Sequence, residues 1–157
     1  MTKTAITLLA AGLGAAGCAT TPLLPPEYCL RGSPGPIEGY WMLERFNGKP
    51  VRLAADDRIT LRVEADRFRG SSVCNSYNAL ETADGGPGYV VVNGRLVARS
   101  GVVRTLGSCD GAEGRLEDDY LFLLDSAPHV VRDGEMLCLY TSAGTSAEYA
   151  AAEEPAR

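Results

Sequence analysis

The chain has 157 residues, of which 45% are hydrophobic and 22% are charged, and its formal net charge is −5. This length and composition suit one globular domain and exclude a predominantly disordered chain. A net negative charge repels phosphate backbones, so we do not expect a nucleic acid as a partner.

The first 17 residues are typical of a secretory leader. Lys3 precedes a short apolar run, residues 5–17, which is shorter than the roughly 20 residues that a membrane-spanning helix needs. The run ends in small residues directly before Cys18, an order that resembles a bacterial lipobox with Ala15 where leucine is usual. We therefore predict a lipoprotein-type signal peptide over residues 1–17 and lipidation of Cys18. Ordinary signal-peptidase cleavage is the alternative.

A lipid anchor of two or more chains would hold the protein at a membrane. Ala19 follows Cys18, and by resemblance to sorted lipoproteins the absence of aspartate there favours the outer membrane, with the domain facing the periplasm. Secretion into the periplasm is the alternative location. Residues 18–37 contain five prolines and two glycines, so we predict that they form a linker between membrane and domain.

Residues 38–151 are predicted to form the folded domain, from short strands joined by tight turns. Residues 39–46 are the first strand candidate, and residues 59–64 alternate between apolar and polar side chains, as a half-buried antiparallel strand does. The expected core side chains of these two strands are Trp41, Leu43, Phe46, Ile59, Leu61 and Val63. Hairpin turns are predicted at Asn47-Gly48, Asn93-Gly94 and Asp133-Gly134, because these residue types tolerate positive φ.

One helix is readable after residue 110. Asp110 and Glu113 have the spacing of a capping box, and apolar residues recur at helical spacing over residues 116–124. In this interpretation Glu117 lies near the solvent side of the helix. Its acidic charge also suits the positive end of the helix dipole.

Six to eight short strands with one inserted helix exclude a fold of alternating βαβ units. We predict a mainly β (α+β) fold, in which a small antiparallel sheet curls towards a barrel that the helix plugs or flanks. Residues 147–151 are expected to add an edge strand, and residues 152–157 to form a disordered tail.

Several short motifs occur in a distinctive order. They are Trp41-Met42-Leu43, the Asn47-Gly48 turn, Cys74-Asn75-Ser76-Tyr77, Thr105 with Cys109, Glu117 before the aromatic and leucine run 120–124, and Leu137-Cys138-Leu139. In this order they resemble the META domain family, also called HslJ-like after a heat-shock lipoprotein, over about residues 39–149. Val73 stands where the family has glycine.

The resemblance implies a small lipocalin-like β-barrel and a role in envelope stress or antibiotic tolerance. No enzymatic reaction is established for the family, so we expect neither a catalytic residue nor a cofactor. The motif residues that a ligand would contact are Asn75, Tyr77 and Trp41. The alternatives are that Trp41 and Tyr77 belong to the core and that Asn75 bonds local backbone, as asparagine does at turns.

Four cysteines remain once Cys18 is set aside, and three disulfide pairings are possible in an oxidising compartment. The family motifs supply both Cys74 and Cys109, so the resemblance favours this pair and leaves Cys29 for Cys138. Free buried thiols are the alternative.

A metal site and thiol catalysis are not expected, because the chain has no Cys-x-x-Cys motif and His129 is its only histidine. Two functions remain. The first is a non-catalytic envelope lipoprotein that binds or scaffolds periplasmic proteins. The alternative is a periplasmic carrier of a small apolar ligand, which would need a cavity lined by Trp41, Phe68 and Tyr77. The oligomeric state is left open.

Overall fold

The structure is a computed structural model that describes residues 27–33, 35–53 and 57–155. The predicted leader, Cys18 and half of the predicted linker (residues 18–26 and 34) lie outside the described residues. Within the described ranges, no helix is both long and apolar enough to cross a membrane.

The described part of the chain contains two helices and eleven strands. In chain order they are α1 (Glu27–Arg31), β1 (Gly39–Phe46), β2 (Lys49–Pro50), β3 (Thr60–Val63), β4 (Phe68–Ser71), β5 (Ser76–Ala79), β6 (Tyr89–Val92), β7 (Arg95–Ala98), β8 (Val103–Arg104), α2 (Gly111–Asp125), β9 (His129–Asp133), β10 (Met136–Tyr140) and β11 (Ser146–Ala151).

The strands form one strongly curled antiparallel sheet. Their order is β6-β7-β9-β10-β11-β1-β3-β4-β5-β8, and β2 pairs with β1 at the side. Helix α2 contributes Tyr120, Leu123 and Leu124 to the same hydrophobic core as the inward faces of the strands. The predicted mainly β, lipocalin-like fold with an inserted helix is therefore confirmed as a curled half-barrel.

The core of the first strands is built as the alternation predicts. Trp41, Leu43 and Phe46 are all buried, although Phe46 lies three residues after Leu43. The pairing of β1 with β11 shifts register between Leu43 and Arg45, and this irregularity turns Phe46 inward and leaves Arg45 outside.

The prediction of an edge strand over residues 147–151 is wrong. Strand β11 lies between β10 and β1, where Ala147 pairs with Leu139 and Tyr149 pairs with Leu43. Both Ala147 and Tyr149 are fully buried. The error arose because the second partner strand, β1, is about a hundred positions earlier in the chain and local pattern carries no sign of it.

The end of the predicted linker is tied to the sheet. Cys29 on α1 forms a disulfide with Cys138 on β10, with their Cα atoms 5.6 Å apart, as the cysteine assignment expected. Both residues are buried, while Leu137 and Leu139 on either side of Cys138 enter the main core. Strand β10 is therefore covered on both faces, by the core on one and by α1 on the other.

Helix α2 begins without the predicted capping box. Asp110 takes the N-cap position but its side chain makes no capping hydrogen bond. Asp110 has the extended backbone usual for an N-cap, but Gly111 after it has a φ of +65°, which is not helical, and this places the first-turn amides differently from a regular N-cap.

Candidate functional site

The central motif forms a cross-linked corner between β4 and β5. Cys74 is joined by a disulfide to Cys109, just before α2, with Cα atoms 5.8 Å apart, as the resemblance implied. The backbone at Val73 does not have a positive φ, so a β-branched residue is accommodated there without strain. We call residues 72–75, together with the side chains that bond to them, the corner.

Glu117 lies beneath the corner and is only 2% exposed, so its predicted place near solvent is wrong. Its Oε1 atom accepts hydrogen bonds from the backbone nitrogens of Cys74 and Asn75, at 3.2 and 3.1 Å, and from the Ser72 hydroxyl. Its Oε2 atom accepts a bond of 2.9 Å from Nδ2 of Asn75. Four donors therefore surround a carboxylate whose acidic character had suggested a position near solvent.

Asn75 links the corner to a third segment of chain. Its Oδ1 atom accepts hydrogen bonds from Oγ1 of Thr105 at 2.8 Å and from the backbone nitrogen of Gly107 at 2.5 Å. Its Nδ2 also donates to the carbonyl of Gly107 at 3.2 Å. A Cβ at Gly107 would stand 2.9 Å from both Asn75 Oδ1 and the Cys74 carbonyl, so only glycine fits this approach. Asn75 thus bonds distant backbone rather than its own turn.

The Glu117 carboxylate is held in its ionised form. Burial alone raises the pKa of a carboxyl group, but the hydrogen bonds from Ser72, Asn75 and Cys74 favour the charged form more strongly, and the net pKa lies below its usual value. A general base needs a free lone pair directed at substrate. Both oxygens of Glu117 are instead occupied by the corner, which makes this carboxylate a structural anchor.

Tyr77, the last residue of the central motif, belongs to the core. Its hydroxyl donates to the carbonyl of Thr60 at 2.6 Å and lies 2.7 Å from the hydroxyl of Tyr120, which in turn lies 3.1 Å from that of Tyr149. Burial raises the pKa of all three phenols well above the usual value. These tyrosines stay neutral and tie α2 to opposite parts of the sheet.

Trp41 is also a core residue and lies apart from the corner network. It is 1% exposed, its Nε1 donates to the carbonyl of Ile37 at 2.9 Å, and the guanidinium of Arg132 lies 5.2 Å from the centre of its ring. Of the three motif residues considered for ligand contact, Trp41 lines neither of the two clefts described below, whereas Asn75 lines one of them and Tyr77 the other, although both residues are at most 5% exposed. His129 stacks on Tyr140, with ring centres 5.1 Å apart.

One group of potential metal ligands occurs among the described residues, and it is the corner itself: Cys74, Cys109 and Glu117. Zinc binds thiolates. Because the two sulfur atoms are bonded to each other and the carboxylate is fully hydrogen-bonded, this group does not offer a metal a set of free ligands.

Two adjoining clefts open on the outer face of β3, β4 and β5. One, of about 440 Å³, is lined by residues 71–76 and Thr105 and lies directly over the corner. The other, of about 370 Å³, carries three arginines, Arg62, Arg67 and Arg69. Sequence reasoning missed these arginines, because alternation places them on the solvent face of a strand but does not tell which of them come together.

A family model described as "META domain" matches residues 36–154. No curated protein sequence matches the chain. An NMR structure that is 22% identical matches with a TM-score of 0.56, covering 73% of this chain and 89% of its own. An NMR structure of a protein from Burkholderia xenovorans, 18% identical, matches with a TM-score of 0.56 and covers 93% of this chain and 100% of its own. These two likenesses concern the fold alone.

Proposed function

Because the chain belongs to the META domain family, we propose that it is a non-catalytic envelope lipoprotein that binds or scaffolds other periplasmic proteins, with a role in envelope stress or antibiotic tolerance. The observation that carries this proposal is the state of the corner. Its carboxylate, amide and hydroxyl groups all bond to one another or to backbone. The polar groups of the family motif are therefore used to hold the fold.

The two disulfides and the leader support a location outside the cytoplasm. Disulfides persist in oxidising compartments such as the bacterial periplasm. Cys29–Cys138 and Cys74–Cys109 use all the cysteines except Cys18, which is the residue that the lipobox-like sequence would lipidate. Attachment through Cys18 would place the domain at the membrane surface, on the periplasmic side of the outer membrane.

Exposed apolar side chains support a protein partner. Leu106 is 98% exposed in the segment between β8 and α2, and Phe122 is 74% exposed on the outer side of α2. Protein interfaces are enriched in aromatic residues and often depend on a few such anchors. These two side chains are where we expect a partner to make its first apolar contacts.

The carrier hypothesis loses its main support. It required a cavity lined by Trp41, Phe68 and Tyr77, but each of these side chains is at most 1% exposed and belongs to the hydrophobic core. The rings of Phe68 and Tyr77 pack edge to face with centres 6.5 Å apart. The space that a guest would need around these rings is occupied by the protein's own side chains, so we retain the binding or scaffolding role alone.

Two measurements test the proposal. Metabolic labelling with palmitate should mark the wild-type protein and not Cys18→Ala, and equal labelling of both would refute the lipid anchor. A photo-crosslinking amino acid at Phe122 should yield discrete adducts in intact cells, and the same group at Glu135, an exposed turn residue, should not. Identical adduct patterns at the two positions would refute a specific partner at this surface.

A further inference from the structure

We propose that the cleft containing Arg62, Arg67 and Arg69, here called the arginine cleft, binds a carboxylate of an acidic peptide segment. In the structure the carboxylate of Glu154, from the end of this chain, occupies the position that the ligand would take. The proposal rests on the binding role proposed above and gives that role a ligand chemistry.

The register of the sheet places the key side chains in one row. Arg62 on β3 pairs with Arg69 on β4, and Arg69 pairs with Asn78 on β5. Each of the three alternates with core residues, so their side chains lie on the outer face. The cleft above this row has a volume of about 370 Å³, which lies within the range of ligand pockets and accommodates a few peptide residues.

One of the carboxylates that neutralise the cleft is replaceable by a carboxylate of a ligand. Glu64 is the resident counter-charge, and it bonds to Nε of Arg67 at 2.8 Å and to Nη2 of Arg69 at 3.2 Å. The second carboxylate comes from Glu154, which accepts a hydrogen bond from Nη1 of Arg62 and lies 3.6 Å from Nη2 of Arg69. Without Glu154, the guanidinium groups of Arg62 and Arg69 would keep only Glu64 as a close carboxylate in the described part of the chain, while Arg67 also has Asp66 beside it and feels the charge of Glu81.

Two buried polar atoms on residues of the same cleft have no hydrogen-bond partner among the described residues. They are Nε of Arg62, a donor that lies 3.6 Å from Glu64, and Oδ1 of Asn78, an acceptor. Both atoms are shielded from solvent, so they do not by themselves identify a ligand. The occupant that the structure shows is a glutamate carried on a peptide segment, and this favours a peptide over a simple inorganic anion.

Glu154 is held loosely enough to be displaced. The backbone nitrogen of Ala152 donates to the carbonyl of Tyr40 at 2.9 Å, and this bond brings the chain end to the rim of the cleft. The side chain of Glu154 itself remains 35% exposed. Partly exposed ion pairs of this kind contribute little net free energy, so a ligand carboxylate competes with a weak internal one.

Binding of a fluorescent tetraglutamate peptide to the full-length protein in non-ionic detergent, followed by anisotropy at low salt, tests the proposal. We expect saturable binding, and no binding of a matched tetraglutamine peptide. Glu154→Gln should tighten binding about two- to fivefold, because it removes the competing carboxylate. Glu153→Gln, which changes the neighbouring exposed residue, is the matched control and should leave the affinity unchanged.

The arginines are tested by Arg62→Gln and Arg69→Gln, each of which should weaken binding about two- to fivefold, as expected for a partly exposed ion pair. Arg104→Gln is the control, because this arginine pairs with Asp118 on α2, outside the cleft. Thermal unfolding verifies that each variant is folded. If an arginine variant does not fold, the proposal is tested by comparing the affinities of Glu154→Gln and Glu153→Gln, since both variants change exposed residues at the chain end.

Four results would overturn the proposal: absence of saturable binding, equal binding of tetraglutamine, unchanged affinity of Glu154→Gln, or displacement of the peptide by inorganic phosphate as effectively as by glutarate. The last would identify a general anion site. Crosslinked adducts at Phe122 in cells, obtained together with any of these results, would leave the scaffolding role intact and refute only the arginine cleft as its binding site.

Discussion

Replacing Glu117 with glutamine tests whether its carboxylate holds the corner. The amide keeps the shape of the carboxylate, and its oxygen can still accept the three bonds that come from residues 72–75. Its nitrogen, however, would face Nδ2 of Asn75, where Oε2 now accepts a bond of 2.9 Å. Asn75 cannot turn its own amide over in response, because its Oδ1 already accepts from Thr105 and Gly107.

The size of the effect follows from the bonds that change. A hydrogen bond to a charged group contributes about 1.5–3 kcal/mol and a neutral one about 0.5–1.5 kcal/mol, so three bonds weaken by about 1 kcal/mol each. Loss of the fourth bond adds about 1 kcal/mol to the destabilisation. The neutral amide avoids the cost of burying a charge, and this offsets about 1 kcal/mol. We expect Glu117→Gln to lower the free energy of unfolding by about 3 kcal/mol. For a chain of this length, that corresponds to a fall in Tm of about 6–12 °C.

Urea denaturation followed by circular dichroism, at neutral pH, measures this difference. Asp118→Asn is the control: it changes the adjacent helix residue, whose side chain is 70% exposed, and should alter the free energy of unfolding by no more than about 0.5 kcal/mol. A loss of less than about 1 kcal/mol for Glu117→Gln would refute the reasoning, because the carboxylate would then be replaceable by a neutral group of the same shape.

The pH dependence gives an independent check of the same residue. Burial raises the pKa of Glu117, but the bonds from Ser72, Asn75 and Cys74 lower it below its unfolded value of 4.5. The stability that a lowered pKa contributes is present above the unfolded value and is lost as the pH falls through the folded one. The difference between wild type and Glu117→Gln should therefore shrink below about pH 4.5. A difference that stayed constant down to pH 2 would show that ionisation is not its source.

Two further changes test the packing and the cross-links. Gly70→Ala would place a Cβ 1.9 Å from the carbonyl oxygen of Thr60, so we expect the free energy of unfolding, measured by urea denaturation, to fall by at least about 3 kcal/mol. Gly35→Ala is the control and should cause almost no loss, because Gly35 has room for a methyl group. Similar losses in the two variants would contradict this packing. The double variant Cys29→Ala/Cys138→Ala opens a loop of 109 residues, and by the chain-entropy model its free energy of unfolding should fall by about 5 kcal/mol. An unchanged midpoint of urea denaturation would mean that the disulfide does not constrain the unfolded chain.

The parts of the fold that follow local rules were predictable. Asn47 and Asn93 have φ angles of +50° and +51°, and Gly134 has +57°, as hairpin turns of their residue types require. Ile59, Leu61 and Val63 are buried together because side chains of a strand alternate between its two faces. In each case the information lies within a few residues of the position concerned.

The misplacement of Glu117 shows how residue type can mislead where spacing does not. Glu117, Tyr120, Leu121 and Leu124 stand at i, i+3, i+4 and i+7, which is one face of a helix, and all four are buried. The acidic charge suggested solvent, but the spacing already placed it among the core residues. Its donors lie more than 40 positions earlier, so no local pattern could supply them. A charged residue within an apolar helical stripe therefore indicates that hydrogen-bond donors from distant parts of the chain surround it in the fold.

The arginine cleft poses the opposite problem, because the register that creates it is unfavourable by local rules. Like charges directly opposite each other on neighbouring strands destabilise a sheet, yet Arg62 faces Arg69 across β3 and β4. The pair is tolerable only with carboxylates beside it, and the structure supplies these from Glu64 and from Glu154, the latter 92 positions away from Arg62. A cationic pair whose stability depends on a carboxylate from a distant and partly exposed chain end is equally suited to a carboxylate from another molecule.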